Sequence, residues 1–213
     1  MSSKKDPDAP GKPKNGFSRR GFIRGVGIST GALGSGLLET AAVAEPAGGT
    51  AGPGAVPVTL KINGKAHNLN LEPRVTLIDA LRNYADHTGA KKVCDRATCG
   101  ACTVIMDGKV VYSCTVLAID AQGKDIQTIE GLSNGKLHPV SVAFVNHDAQ
   151  QCGYCTPGFV MATKGFLDKH PNPTVADVEK GLGGNLCRCG TYIGMRKAVL
   201  EASKEMKGGR KNA

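Results

Sequence analysis

The sequence has no tryptophan and only 4% aromatic residues over 213 positions, so no core in it rests on large rings. The same scarcity leaves no basic surface interleaved with stacking rings, which removes the usual ground for expecting a nucleic-acid partner. No phosphate loop, dinucleotide fingerprint or nucleophile–base pair is present, so substrate chemistry on this chain is not expected. No apolar run reaches the ~20 residues that a membrane span needs; the weakly apolar stretch before position 44 is interrupted by Gly, Ser, Thr and Glu39. Finally, no cysteine is left over. All eight fall into two sets of four: Cys94, Cys99, Cys102 and Cys114, then Cys152, Cys155, Cys187 and Cys189.

The first set stands in K-V-C-D-R-A-T-C-G-A-C, a C-x4-C-x2-C run followed by Cys114, which is the spacing of plant-type [2Fe-2S] sites. Three thiolates come from one loop, and Cys114, beyond a short hairpin, is placed to supply the fourth. Small residues, Gly100 and Ala101, let the backbone approach the cluster and aim N–H groups at its sulfurs. Two other readings compete. Eight cysteines in an exported chain allow 105 disulfide pairings, but Cys187 and Cys189 are one residue apart and every cysteine is in a tight cluster, which disulfide scaffolds rarely use throughout. Zinc sites favour paired spacings that C-x4-C-x2-C does not follow.

Residues 1–16 are polar and rich in Pro, Gly and Lys. Ser18-Arg19-Arg20-Gly21-Phe22-Ile23-Arg24 follows, then the weakly apolar run and Ala42-Val43-Ala44, which together resemble a twin-arginine signal peptide over 1–44, cut before Glu45. A route that exports folded proteins suits a cofactor inserted beforehand, so a periplasmic destination is expected. Loss of that segment removes seven Lys/Arg and three Asp/Glu, lowering the formal charge from +9 to +5.

Residues 45–55 read as a linker. Residues 56–133 are expected to form an α+β, β-grasp ferredoxin-like domain. Its strands are Val56–Ile62 and Lys65–Leu71 around Asn63-Gly64, Cys102–Met106 and Lys109–Cys114 around Asp107-Gly108, and Asp125–Ile129. A helix should follow Thr76, which with Asp79 resembles a capping box, with Leu77, Ile78, Leu81 and Tyr84 on its apolar face. Residues 134–213 read as a four-helix bundle: Pro139–His147, Pro157–His170, Val175–Leu182 capped by Thr174 and stopped by Gly183-Gly184, and Ile193–Lys207. Two such small domains would be marginal from burial alone, so a coordinated cofactor is the expected staple.

The second set stands in Gln151-Cys152-Gly153-Tyr154-Cys155 and Asn185-Leu186-Cys187-Arg188-Cys189, each just ahead of a predicted helix. Four thiolates can therefore converge where two helix N-termini meet, and those termini favour an anionic cluster. A lone C-x2-C would be weak, since thioredoxin-like redox pairs share it.

C-D-R-A-T-C-G-A-C-T-V, Q-C-G-Y-C-T-P-G and G-N-L-C-R-C-G-T-Y, in this order, resemble the small iron–sulfur subunit of the molybdenum hydroxylase (xanthine oxidase/aldehyde oxidoreductase) family, most of all that of periplasmic aldehyde oxidoreductases. The resemblance covers about Val56 to the C-terminus. It departs at Val93 and Ala97, where glycines are common, and at Gly190-Thr191, where Thr-Gly is more frequent.

The resemblance implies two [2Fe-2S] clusters and a separate large subunit carrying a molybdopterin cytosine dinucleotide-type cofactor, with Gln151 and Cys189 nearest its pterin. Electrons would pass from the helical-domain cluster to the ferredoxin-domain cluster and on to an FAD-binding subunit or a c-type cytochrome. The substrate would be an aldehyde or, alternatively, an N-heterocycle. A free-standing exported ferredoxin and a disulfide-stapled exported binding module are the rivals from other classes. Arg188 is open between an interface or cluster-tuning cation and a solvated loop charge. Tyr154 and Tyr192 read as packing, and His67, His87, His138, His147 and His170 as surface or satisfied residues.

Overall fold

A computed structural model describes residues 52–133 and 135–211, with the side chains of the last four left aside. The expected signal segment and most of the linker lie outside the described residues.

Chain order begins with an antiparallel hairpin. β1 (Val56–Ile62) and β2 (Lys65–Leu71) pair from Val56 opposite Leu71 to Ile62 opposite Lys65. The turn between them has positive φ at both Asn63 (51°) and Gly64 (79°), the geometry that matches the twist of the flanking strands. Strict alternation in β1 buries Val58, Leu60 and Ile62 on one face, each worth roughly 1.5–3 kcal/mol when fully buried.

The helical segment α1 opens as one α turn (Leu77–Asp79) and widens into a π turn (Ala80–Tyr84). Leu77, Ile78 and Leu81 are buried as expected, but Tyr84 is 51% exposed, because the wider turn carries it off the buried face. Only half of the expected capping box forms. Thr76 Oγ1 accepts from the Asp79 N–H, while the Asp79 carboxylate is taken by the Thr76 hydroxyl and by Lys92.

β3 (Thr103–Met106) and β4 (Lys109–Tyr112) make the second hairpin, and β5 (Asp125–Gln127) is shorter than expected. The sheet order is β2-β1-β5-β3-β4, with β5 parallel to β1 and antiparallel to β3. That mixed order, with α1 against one face, is the β-grasp arrangement.

Four helices follow: α2 (Pro139–Asn146), α3 (Thr156–Lys169), α4 (Val175–Gly181) and α5 (Tyr192–Lys211). α4 carries a full capping box, Thr174 with Asp177. Two apolar cores result. One lies between α1 and the sheet around Leu60, Ile78 and Ile126; the other lies within the helices around Phe144, Met161 and Val199. Ile105 of β3 belongs to the helical core, and Gly165 leaves room for the Val110 side chain of β4, so the sheet backs directly onto α3. No helix among the described residues is long and apolar enough to cross a membrane.

Candidate metal centres

All eight cysteines are free thiols. They face one another in pairs: Cys94 with Cys99, Cys102 with Cys114, Cys152 with Cys189, and Cys155 with Cys187. Among the described residues no group of three or more His, Cys, Asp or Glu is set to hold a single metal ion. Pairs are nevertheless what a two-iron cluster needs, because four thiolates over two irons leave two for each.

The first loop is shaped by its backbone. Asp95, Ala97 and Gly100 have φ of 56°, 54° and 68°, and this curl turns N–H groups inward: Ala97 N donates to Cys114 Sγ and Thr98 N to Cys94 Sγ, both at 3.3 Å. Amides aimed at sulfur are what an anionic cluster recruits, so this donor set fits the group. Lys92 fixes the entry to the loop, reaching both Asp79 carboxylate oxygens (2.9 and 2.8 Å) and Asp95 (3.3 Å). Ser113 fixes the far side; its hydroxyl donates to the Cys102 carbonyl at 2.7 Å.

In the second set Cys155 is the N-cap of α3, while Cys187 and Cys189 lie just ahead of α5. Each set has an inner and an outer pair: Cys102 and Cys114 are buried, and Cys187 is buried beside half-buried Cys155, whereas Cys152 and Cys189 are exposed. Burial pushes the thiols of Cys102 and Cys155 up to about 12. The Arg96 amide leads the donors that bring Cys94 down to about 7. Burial opposes ionisation of Cys187, but the Thr191 hydroxyl and amide, the Cys155 thiol and the Gly190 amide bring it down to about 7. Binding metal must therefore displace the protons that Cys102 and Cys155 hold tightly.

The two loops are joined. Leu186 N donates to the Cys99 carbonyl (2.9 Å), and buried Asn185 reaches the Gly100 carbonyl (2.9 Å) and Thr103 Oγ1 (3.2 Å). The approach is close enough that a Cβ on Gly158 would sit 2.5 Å from the Gly100 carbonyl oxygen. Cys99, Cys152 and Cys155 all line one cavity of about 120 Å³, with Val93, Tyr154, Leu186 and Arg188 around it.

Sequence reasoning found the thiols and missed their supports. Asn185 sits in a motif already singled out, yet its partners are more than eighty residues away. Tyr192 packs edge-on against Phe159, but its hydroxyl also accepts the Cys187 N–H at 2.8 Å, which packing alone does not describe. Arg188 and Gln151 are exposed, and Lys91 sits 5.9 Å from the centre of the Tyr154 ring. Of the histidines read as surface or satisfied, His170 is exposed, His138 Nδ1 accepts from Val140 N, and His147 meets Glu201 at 2.6 Å, in agreement with that reading. His87 departs from it, since its Nε2 is buried without a hydrogen-bond partner.

Residues 60–129 match the family described as the 2Fe-2S iron-sulfur cluster binding domain, and residues 128–200 the [2Fe-2S] binding domain. The small subunit of nicotine 6-hydroxylase from Paenarthrobacter nicotinovorans is 43% identical over 157 residues, covering 74% of this chain and 94% of that one. The iron-sulfur-binding subunit PaoA of aldehyde oxidoreductase from Escherichia coli K12 is 36% identical over 207 residues, 90% of each chain. Among solved structures, quinoline 2-oxidoreductase from Pseudomonas putida 86 superposes with a TM-score of 0.70 at 37% identity, covering 73% of this chain and 98% of that one.

Proposed function

The chain belongs to the family of small iron–sulfur subunits of molybdenum hydroxylases, and from that premise we propose that it serves an aldehyde-oxidising complex, with Cys94, Cys99, Cys102 and Cys114 holding one [2Fe-2S] cluster and Cys152, Cys155, Cys187 and Cys189 the other. The observation that carries this is the pair of thiol quartets set back to back on loops that hydrogen-bond directly. Each such cluster, when bound, takes up and releases one electron at a time, which links a two-electron substrate oxidation to single-electron acceptors.

The protein's own contribution is placement and electrostatics. Loop amides of Ala97 and Thr98 face the sulfurs of the first set, the N-terminus of α3 faces the second, and Asn185 fixes the span between the loops. We assign the exposed Gln151, Cys152 and Cys189 to the side facing the molybdenum cofactor of a large partner subunit. The opposite quartet would then face an FAD-binding subunit or a c-type cytochrome. The aldehyde reading draws on the PaoA match, which extends beyond the described residues; an N-heterocycle substrate is the second reading, favoured by the higher identity to the nicotine 6-hydroxylase subunit. Export through the twin-arginine route follows from Ser18-Arg19-Arg20-Gly21-Phe22 and the Ala42-Val43-Ala44 cut site.

The native complex tests all of this. It should contain about four irons and four sulfides per copy of this chain and two distinct [2Fe-2S] signals in the reduced state. Cys189→Ser should spoil only the second signal and slow filling of the first cluster by substrate. Iron at half that value, or unchanged spectra in the variant, defeats the ligand assignment. Turnover of N-heterocycles with none of aldehydes selects the second reading, and export of an Arg19-Arg20→Lys-Lys precursor removes the route.

A further inference from the structure

Among the described residues, one side chain other than a thiol is hydrogen-bonded to a cysteine sulfur. Thr191 Oγ1 lies 3.3 Å from Cys187 Sγ, and both residues are buried, at 7% and 8% exposure. Among the described residues this is the one hydroxyl hydrogen-bonded to any of the eight sulfurs; the Thr191 hydroxyl makes no other hydrogen bond. Its pair-mate Cys155 has no equivalent, because the neighbouring Thr156 hydroxyl is buried without a partner. Gly190 makes the contact possible. With φ of +80° it reverses the chain after Cys189, so that Thr191, the residue just ahead of α5, turns back toward Cys187. Thr191 is thus held by the start of a helix while its hydroxyl points at the inner thiol.

We propose that Thr191 is a positioning residue that sets the redox potential of the cluster in the helical half by donating a hydrogen bond to the Cys187 sulfur. The inference rests on the ligand assignment above. A sulfur bound to iron carries no proton, so the hydroxyl is the only possible donor. Reduction adds one electron and breaks no bond at either residue. The added negative charge is partly borne by the thiolates, and a hydrogen bond to an ionised acceptor is roughly twice as strong as a neutral one. Burial strengthens it further, since little water competes. The bond therefore favours the reduced state over the oxidised one and raises the potential. The Tyr192 hydroxyl, engaged by the Cys187 N–H, works differently: it restrains the backbone and leaves the sulfur to Thr191.

The test is a redox titration of the purified native complex, followed by electron paramagnetic resonance, for wild type, Thr191→Val, Thr191→Ala and Thr191→Ser. Val keeps the volume without the hydroxyl. We expect the Val and Ala variants to weaken electron uptake by the helical-half cluster by roughly three- to tenfold, tenfold being about 59 mV for a one-electron couple. Ser should restore the wild-type value, and the ferredoxin-type cluster should not move in any variant. Wild-type iron content with an unmoved potential in Val and Ala overturns the proposal. So does equal movement of both clusters, or failure of both variants to load iron while Ser loads it, since either outcome assigns Thr191 a structural role. Failure of the wild type itself to carry two clusters would instead sink the ligand assignment.

Discussion

Ala97 occupies a conformation that suits glycine. Its φ is 54°, in the left-handed region that costs an L-residue roughly 1–2 kcal/mol, yet its N–H is one of the loop amides on the first quartet's sulfurs. The loop thus keeps its shape despite the side chain, and the departure from the family's common glycine has a physical meaning that spacing alone does not carry. Ala97→Gly should raise stability by up to about 1 kcal/mol in denaturant melts, part of the relieved strain being offset by the freer unfolded chain, while Ala97→Val should lower it. Loss of stability in the glycine variant would mean that the curl is not strained. At this scale the grouping of the thiols was legible, because cysteines a few residues apart on short loops stay close in space. Asn185 and Thr191 were not, because neither a bond across more than eighty residues nor a hydroxyl's aim leaves a local pattern.

Elements position the loops through a few polar ties. The first turn of α1 holds Lys92, two residues ahead of Cys94, through the Asp79 carboxylate. Burial works against ionisation of Asp79, but the hydrogen bonds from Lys92 and Thr76 and the Lys92 and Arg82 charges win, holding its pKa below the ordinary 3.8. A depressed carboxyl stabilises the fold fully above its unfolded pKa and loses that contribution as pH falls through the lower folded value. Asp79→Asn should therefore cost about 0.5–1 kcal/mol above about pH 5, and the gap to wild type should close below the 3.8 region. A gap that persists in acid would assign the effect to packing. Hairpins and the longer helices were legible at this scale: Asn63-Gly64 and Asp107-Gly108 turn as their residues dictate, and Thr174 caps α4. The π turn was not, because apolar spacing over eight residues fits a plain helix equally well, and Tyr84 was misplaced with it.

Taken whole, residues 52–211 are two cores that meet at the cysteine loops, and the seam is polar where the loops cross and apolar where α3 backs onto the sheet. Asn185→Ala would remove the donor that ties the Gly100 carbonyl to the second loop, while the Thr103 N–H and hydroxyl still serve that carbonyl, a loss of about 0.5–1.5 kcal/mol. Because Asn185 spans both loops, the variant should disturb the spectra of both clusters together, unlike Cys189→Ser. Gly158→Ala tests the same seam by bulk, since its Cβ would be driven to 2.5 Å from the Gly100 oxygen; purified complexes of both variants should carry less iron in both quartets. A variant that lost one signal alone would mean that the halves load independently. The order of the two halves was readable from their motifs, but the seam between them depends on which residues of separate motifs meet, as Asn185 meets Gly100 and Thr103.

The exposed outer pair, Cys152 and Cys189, has a consequence for the life of the chain before it meets its partner. The iron held there would be bounded by water on one side, within reach of dioxygen and chelators, while the inner pairs are shielded by the fold. A copy waiting alone would therefore be perishable at one edge, and docking of the large subunit on the side proposed for it would act as a preservative.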